Sequence, residues 1–202
     1  MPEDQIVRET GRARYTDEQK ADIWIRGQTP LHSTIELVDY DPDWPNQYEQ
    51  HRQTIANALG DRIVMLEHVG STSVPGLAAK PRIDILLIVE DSSNEAAYVP
   101  QLEAAGFELH IRETDWHEHR CFKGFAPDAN LHVFSPGCVE IERMVGFRNW
   151  LRAHDDDRML YETTKRRLAA QQWAFVQDYA DAKTEVVEEI RARAGLPEGL
   201  QS

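Results

Sequence analysis

The 202-residue sequence predicts an α+β fold, a mixed sheet flanked by helices, on three observations. Two strand-like apolar runs, Arg62 to Val69 and Arg82 to Val89, are separated by GSTSVPGLAAKP, a loop or short helix punctuated by glycine and proline. Shorter strand patterns recur at Phe107 to Arg112, His119 to Lys123 and Leu131 to Phe134. From Val139 onward the apolar period becomes helical.

Taken in order, residues 1–34 read as a polar arm with one helix, where Thr16 and Gln19 make a capping-box pattern. Ile23, Trp24 and Ile25 give that arm an apolar patch, which should lay it across the main domain. Ile35 to Asp41 reads as a first strand ended by Pro42, and Trp44 to Leu59 as a helix that stops at Gly60. Glu95 to Gly106 repeats with a helical period and ends at a glycine. Three C-terminal helices are expected, Ile141 to Ala153, Asp157 to Gln172 and Phe175 to Ala194, with Gly195 and Pro197 as the stop. They should pack on the sheet and overhang its active edge. Phe147, Trp150 and Leu151 are core by spacing, and the acidic run Asp155 to Asp157 suits an N-cap and first turn. The organisation is thus an arm (1–34), a core (35–138), C-terminal helices (139–195) and a tail (196–202), expected to act as one cooperative unit.

A formal net charge of −13 disfavours generic binding to DNA, RNA or an acidic membrane surface, whereas a small phosphorylated ligand needs only a local basic pocket. No apolar run approaches the ~18 residues of a membrane span, and the start MPEDQIVRET has no leader pattern, so a cytoplasmic protein is expected. Cys121 and Cys138 have no CxxC neighbour, which indicates neither a zinc knuckle nor a disulfide framework and leaves two reduced thiols. Oligomeric state is not encoded in any pattern here.

Val69-Gly70-Ser71 following a strand offers an anion site, because glycine lets phosphate oxygens approach backbone N–H groups and serine adds a donor. Lys80 follows, and RIDILLIV alternates Arg82 and Asp84 on one face with Ile83, Ile85 and Leu87 on the other. Two cations and a carboxylate therefore converge near Gly70. A carboxylate within an apolar strand is costly unless paired or metal-bound, so Asp84 is either a functional group or half of a structural pair with Arg82 or Lys80. His68 either orients the turn by hydrogen bonding or is a satisfied structural histidine. In WHEHR, His117 and His119 would share a face if extended; solvated strand-entry positions are the ordinary reading, one histidine reaching the pocket the alternative. Tyr161 with Lys165 and Tyr179 with Lys183 repeat a YxxxK spacing on helix faces; packing is favoured for Lys165 and phosphate contact for Lys183. Arg148 and Arg152, four apart, face either solvent or the pocket.

Together, IELVDYDPDWP, EHVGSTSVPGLAAKPRIDILLIV, LHVF and YADAKTEVVEEI resemble the GrpB family, full-length actinobacterial-type members above all, over roughly Ile35 to Ala194. The resemblance implies a nucleotidyltransferase-like core of the polymerase-beta-like superfamily, whose signature is a Gly-Ser turn followed by two carboxylates alternating on the next strand. Gly70 and Ser71 match the turn and Asp84 the second carboxylate; Arg82 stands where the first should be, and His132 where a neighbouring strand would offer a third. By this resemblance Asp84 and His132 are the candidate catalytic and metal-binding pair, and Gly70, Ser71, Lys80, Arg82 and Lys183 the candidate phosphate or nucleotide contacts. The implied cofactor is a divalent metal, Mg²⁺ or Mn²⁺, or a single softer ion if His132 is a ligand. The implied ligand is a nucleotide or another phosphorylated small molecule, and the implied activity nucleotidyl or related group transfer. The alternative is a non-catalytic nucleotide-binding or partner-stabilising module with a degenerate site. A related domain fused to dephospho-CoA kinases points to a nucleotide or coenzyme setting by analogy.

Overall fold

A computed structural model describes residues 23–27 and 34–198, so the helix expected around Thr16 and Gln19 lies outside the described residues. Helix α1 (Trp44–Leu59) carries Pro45 in its first turn, where a missing N–H breaks no intrahelical bond, and ends at Gly60, whose N–H reaches the Ala56 carbonyl. Its boundaries are those the sequence predicts. Next come β1 (Ile63–Val69), β2 (Ile83–Val89), a short α2 (Val99–Ala104), β3 (Glu108–Glu113), β4 (His119–Gly124) and β5 (Ala129–Phe134). The annex is α3 (Val139–Ala153), α4 (Asp155–Ala169), α5 (Val176–Ala182) and α6 (Thr184–Arg193).

The five strands form one mixed sheet in the order β1-β2-β5-β4-β3. β2 and β5 run parallel, and the other neighbours are antiparallel. This is the α+β arrangement expected, a mixed sheet flanked by helices, with the Gly-Ser turn lying between β1 and β2. Alternation on β2 sends Ile83, Ile85 and Leu87 to one face, where they meet Leu131, Val133 and Phe122 under Trp44, Ile55 and Leu59 of α1. Each such side chain contributes about 1.5–3 kcal/mol on burial. On the opposite face Leu86, Ile88 and Phe134 are covered by Ile141, Met144 and Val145 of α3. That cover stops short of the end of the face where Asp84 and Asn130 stand side by side.

Three elements differ from expectation. Ile35 to Asp41 is not a strand: only Val38 pairs, in an isolated bridge to Ala79, because its partner is the loop before β2, broken by Pro75, Gly76 and Pro81. The segment after Glu95 is a 3₁₀ turn, Glu95–Ala97, and then α2, since Pro100 has no N–H to continue a helix from upstream. The last predicted helix is two, divided at Lys183, where the N–H bonds one residue short of the α pattern, to Ala180 at 3.3 Å.

In the described segment 23–27 of the arm, Trp24 bridges Ile111 on the β3 edge and the Ile25 N–H donates to the His110 carbonyl at 3.0 Å. At the other end, Leu196 lies against Gly146, and Arg143 donates to the Pro197 carbonyl at 2.6 Å. Among the described residues, no helix is long and apolar enough to cross a membrane.

Candidate functional site

The turn between β1 and β2 is shaped by Gly70, whose φ of +68° is one that L side chains rarely adopt. A methyl group there would fall 2.8 Å from the Asp84 Cβ and nearer still to its carboxylate. Glycine thus lets the turn press directly on Asp84. Asp84 Oδ1 in turn accepts from the Asn130 amide at 2.9 Å. The structural pairing of Asp84 with Arg82 or Lys80, one of the two readings from sequence, does not form; Arg82 binds Asp128 instead, with both contacts at 2.7 Å.

The turn is held from both sides. His68 stacks on Tyr48 at 4.7 Å and its Nε2 meets Thr72 Oγ1 at 3.0 Å, the turn-orienting role among the two read from sequence. From α3, Arg148 donates to the His68 carbonyl at 2.7 Å and Arg152 to the Ser73 carbonyl at 2.6 Å. Both arginines therefore face the turn's backbone. Burial pushes His68 down to about 4, below its ordinary 6.5, so it is neutral in the native protein. The unfolded chain then binds the extra proton first, and native stability is lost as pH falls through the window from 6.5 to 4. Relative to His68→Gln, the wild type should lose roughly 3 kcal/mol more across that window in urea unfolding. Parallel losses would exclude His68 as the cause.

Ser71, Lys80, Arg82, Asp84, His132 and Lys183 all line one cavity of about 420 Å³ on the uncovered end of the sheet face. Of the candidate residues named from sequence, only Gly70 lies outside that lining; it backs Asp84 and borders a smaller adjoining cleft. Lys123 and Lys165 join the lining, giving four lysines and Arg82 around a single carboxylate among the described residues. No carboxylate lies at salt-bridge distance from these lysines among the described residues.

Lys165 is buried, and its Nζ donates to Ser71 Oγ at 3.1 Å and to the Ala78 carbonyl, above the Tyr161 ring at 4.7 Å. Burial, then repulsion from Lys183, holds it down to about 7. Lys80 is held to about 8 by burial, then by Lys183 and Arg82. The Tyr179 ring stands 5.7 Å from Lys80 and 4.8 Å from Lys183, and its buried hydroxyl has no hydrogen-bond partner among the described residues. The break in the last helix sets Lys183 at the α5–α6 junction, and burial lowers its pKa as well.

His117 and Glu118 have φ of +55° and +48°, so they form a turn, and the extended reading that would put His117 beside His119 fails. His119 begins β4, buried, and its Nε2 lies 3.1 Å from His132 Nδ1. Cys121 joins these two histidines, with ligand atoms all within 4.8 Å of one another. His132 is thus grouped with His119 and Cys121, while Asp84 is grouped with Asn130 and the lysines. A pair of Mg²⁺ or Mn²⁺ ions needs several hard oxygen ligands, and one carboxylate among cations does not fit that requirement.

A family model described as GrpB protein matches residues 34–193. The chain belongs to the GrpB family. It is 52% identical to a UPF0157 protein of Halalkalibacterium halodurans over 179 residues, covering 89% of this chain and 92% of that one. A Streptomyces coelicolor UPF0157 protein is 46% identical over 161 residues, covering 80% and 84%. The crystal structure of conserved protein GrpB from Enterococcus faecalis overlays with a TM-score of 0.63 at 29% identity, across 76% of this chain and 98% of that one. A protein named dephospho-CoA kinase, of Mycolicibacterium paratuberculosis, is 30% identical over an alignment of 159 residues, with 65% of this GrpB chain and 39% of that longer protein covered. A GrpB-like segment within a longer chain of that name is what the resemblance implies.

Sequence reasoning passed over Lys123, Asn130 and Cys121, and set Lys165 aside as packing, although all four line the cavity of this GrpB chain. For Lys165 the signal was its YxxxK spacing, read as packing. For Cys121 it was the alternation His119-x-Cys121 on a strand, obscured by the search for CxxC.

Proposed function

We propose that the lysine-lined cavity binds a nucleotide or another phosphorylated small molecule through its phosphates. The observation that carries this reading is the surplus of cation, with Lys80, Lys123, Lys165 and Lys183 gathered around Asp84, the single carboxylate of the lining among the described residues, while Arg82 beside them is already paired with Asp128. Ammonium groups gathered out of water repel one another, and an anion among them relieves that repulsion. Such a cluster in a chain of net charge −13 marks a local pocket, not a general affinity for polyanions. In this reading Ser71 Oγ and the lysines take the phosphates, with Gly70 shaping the turn beside them. Trp24, Ile111, Phe175 and Val176, on the same lining, offer apolar surface to the rest of the ligand.

Calorimetric titration with ATP and with inorganic pyrophosphate, without added metal, tests the reading. Heat of binding and a raised melting temperature are expected, with affinity falling from pH 7 to 9 as Lys80 passes its pKa of about 8. Neither heat nor a thermal shift with any nucleoside triphosphate or pyrophosphate would remove it.

Whether the bound ligand reacts is a second question. The Arg82–Asp128 pair, where the superfamily signature calls for a metal-binding carboxylate, favours a non-catalytic binding module. Transfer is the alternative, with Asp84 accepting a proton from an acceptor hydroxyl and His132 assisting. Consumption of labelled triphosphate across an acceptor panel, abolished by Asp84→Asn, would establish transfer over binding alone.

A further inference from the structure

We propose that His119, Cys121 and His132 form a site for one zinc-class transition-metal ion, with Glu113 as the group that orients His119. The sheet register builds the cluster. Cys121 lies directly opposite His132 across β4 and β5, and His119 lies opposite Glu113 across β3 and β4. Because residues two apart on a strand share a face, His119 and Cys121 point the same way, onto the face of His132.

The distances suit an ion of this class. The three ligand atoms lie within 4.8 Å of one another, and His119 Nε2 and His132 Nδ1 are 3.1 Å apart. Two nitrogens on a tetrahedral zinc ion, bonded at about 2.0–2.1 Å, stand about 3.3 Å apart. His119 Nδ1 meets Glu113 Oε2 at 2.6 Å, and both residues are buried. That contact fixes the ring so that Nε2 faces the cluster, as a carboxylate behind a histidine ligand does. The rings of Phe134, 4.6 Å from His119, and Trp116, 5.3 Å from it, supply an apolar wall.

One thiolate and two imidazoles are a soft donor set that selects zinc-class ions over Mg²⁺. Three ligands leave a fourth position, the coordination of sites that accept water or substrate, and all three residues line the phosphate cavity. On binding, Cys121 gives up its S–H proton to solvent and becomes the thiolate ligand. The His119–His132 hydrogen bond gives way to two metal–nitrogen bonds, with His132 keeping one proton on its outward nitrogen. The site stands independently of the phosphate reading.

Cobalt titration of chelator-treated full-length protein tests the site. One equivalent of Co²⁺ should produce a near-ultraviolet thiolate-to-cobalt charge-transfer band with intense tetrahedral visible bands, and Zn²⁺ should abolish both. Cys121→Ser should eliminate the charge-transfer band, whereas Cys138→Ser should retain it. Glu113→Gln should weaken affinity by about ten- to hundredfold. His132→Gln, at a half-buried position, should weaken it at least tenfold and serves if Cys121→Ser does not fold. Absence of the band in the wild type, its persistence in folded Cys121→Ser, or unchanged affinity in His132→Gln would overturn the proposal.

Discussion

Replacing Lys80 and Lys183 together by methionine should weaken pyrophosphate or ATP binding by a hundredfold or more in calorimetric titration. A hydrogen bond to a charged group contributes about 1.5–3 kcal/mol, so two of them amount to about 3 kcal/mol at the low end, roughly two decades in Kd. The same replacement should raise the melting temperature of the ligand-free protein. Both ammonium groups are desolvated, Lys183 lowers the pKa of Lys80, and neither has a carboxylate at salt-bridge distance among the described residues. Opposite signs for binding and stability distinguish a binding lysine from one that braces the fold. Lys165→Met should lose both, because its Nζ also holds Ser71 and the Ala78 carbonyl. The pH dependence follows the same sign. Lys80 and Lys165 have native pKa values of about 8 and about 7 against an ordinary 10.5, so the unfolded chain binds more protons in that interval. Ligand-free stability from these groups therefore rises with pH from about 7 toward 10.5, while anion affinity falls. Unchanged binding and stability in the double variant would exclude the lysines from either role.

Gly70→Ala is expected to destabilise the protein by about 2–4 kcal/mol in urea unfolding and to abolish phosphate binding. The left-handed backbone contributes about 1–2 kcal/mol, and displacing the Asp84 carboxylate from Asn130 supplies the remainder. In an Asp84→Ala background Gly70→Ala should cost only the first part, because the Asp84–Asn130 contact is then already gone. That non-additivity is the signature of direct contact between the two positions. Strictly additive effects would mean that the turn and the carboxylate do not touch.

The parts of the fold legible in the sequence are those set by local pattern. Helix α1 carries its proline entry and glycine exit in consecutive residues, and β2 announces its two faces through the alternation around Asp84. Ile35 to Asp41 has the same kind of alternation yet forms no strand, because strand identity also requires a partner, and the segment beside it is a proline-interrupted loop. The site shows the same division. Gly70, Ser71, Lys80, Arg82 and Asp84 lie within fifteen residues and were legible together. Lys165 was not, since a helical period says which side chains share a face but not which loop that face meets. Nor was the pairing of Cys121 with His132, which depends on ladder register between β4 and β5. Pro100 and Lys183 mark two helix breaks for different reasons. The first is a covalent property visible in the letters, and the second is a local change of hydrogen-bond partner.

Arg148 and Arg152 grip carbonyls on either side of Gly70 from a helix that begins some seventy residues later in the chain. The Gly70 turn is therefore not a portable motif. Its backbone is completed by groups on α3, so transplanting β1, the turn and β2 into another scaffold would strand two carbonyls without their guanidinium donors. Inheritance of this loop in any fused or shuffled protein must carry that helix with it, and loss of ligand binding on heating should coincide with melting of the annex instead of preceding it.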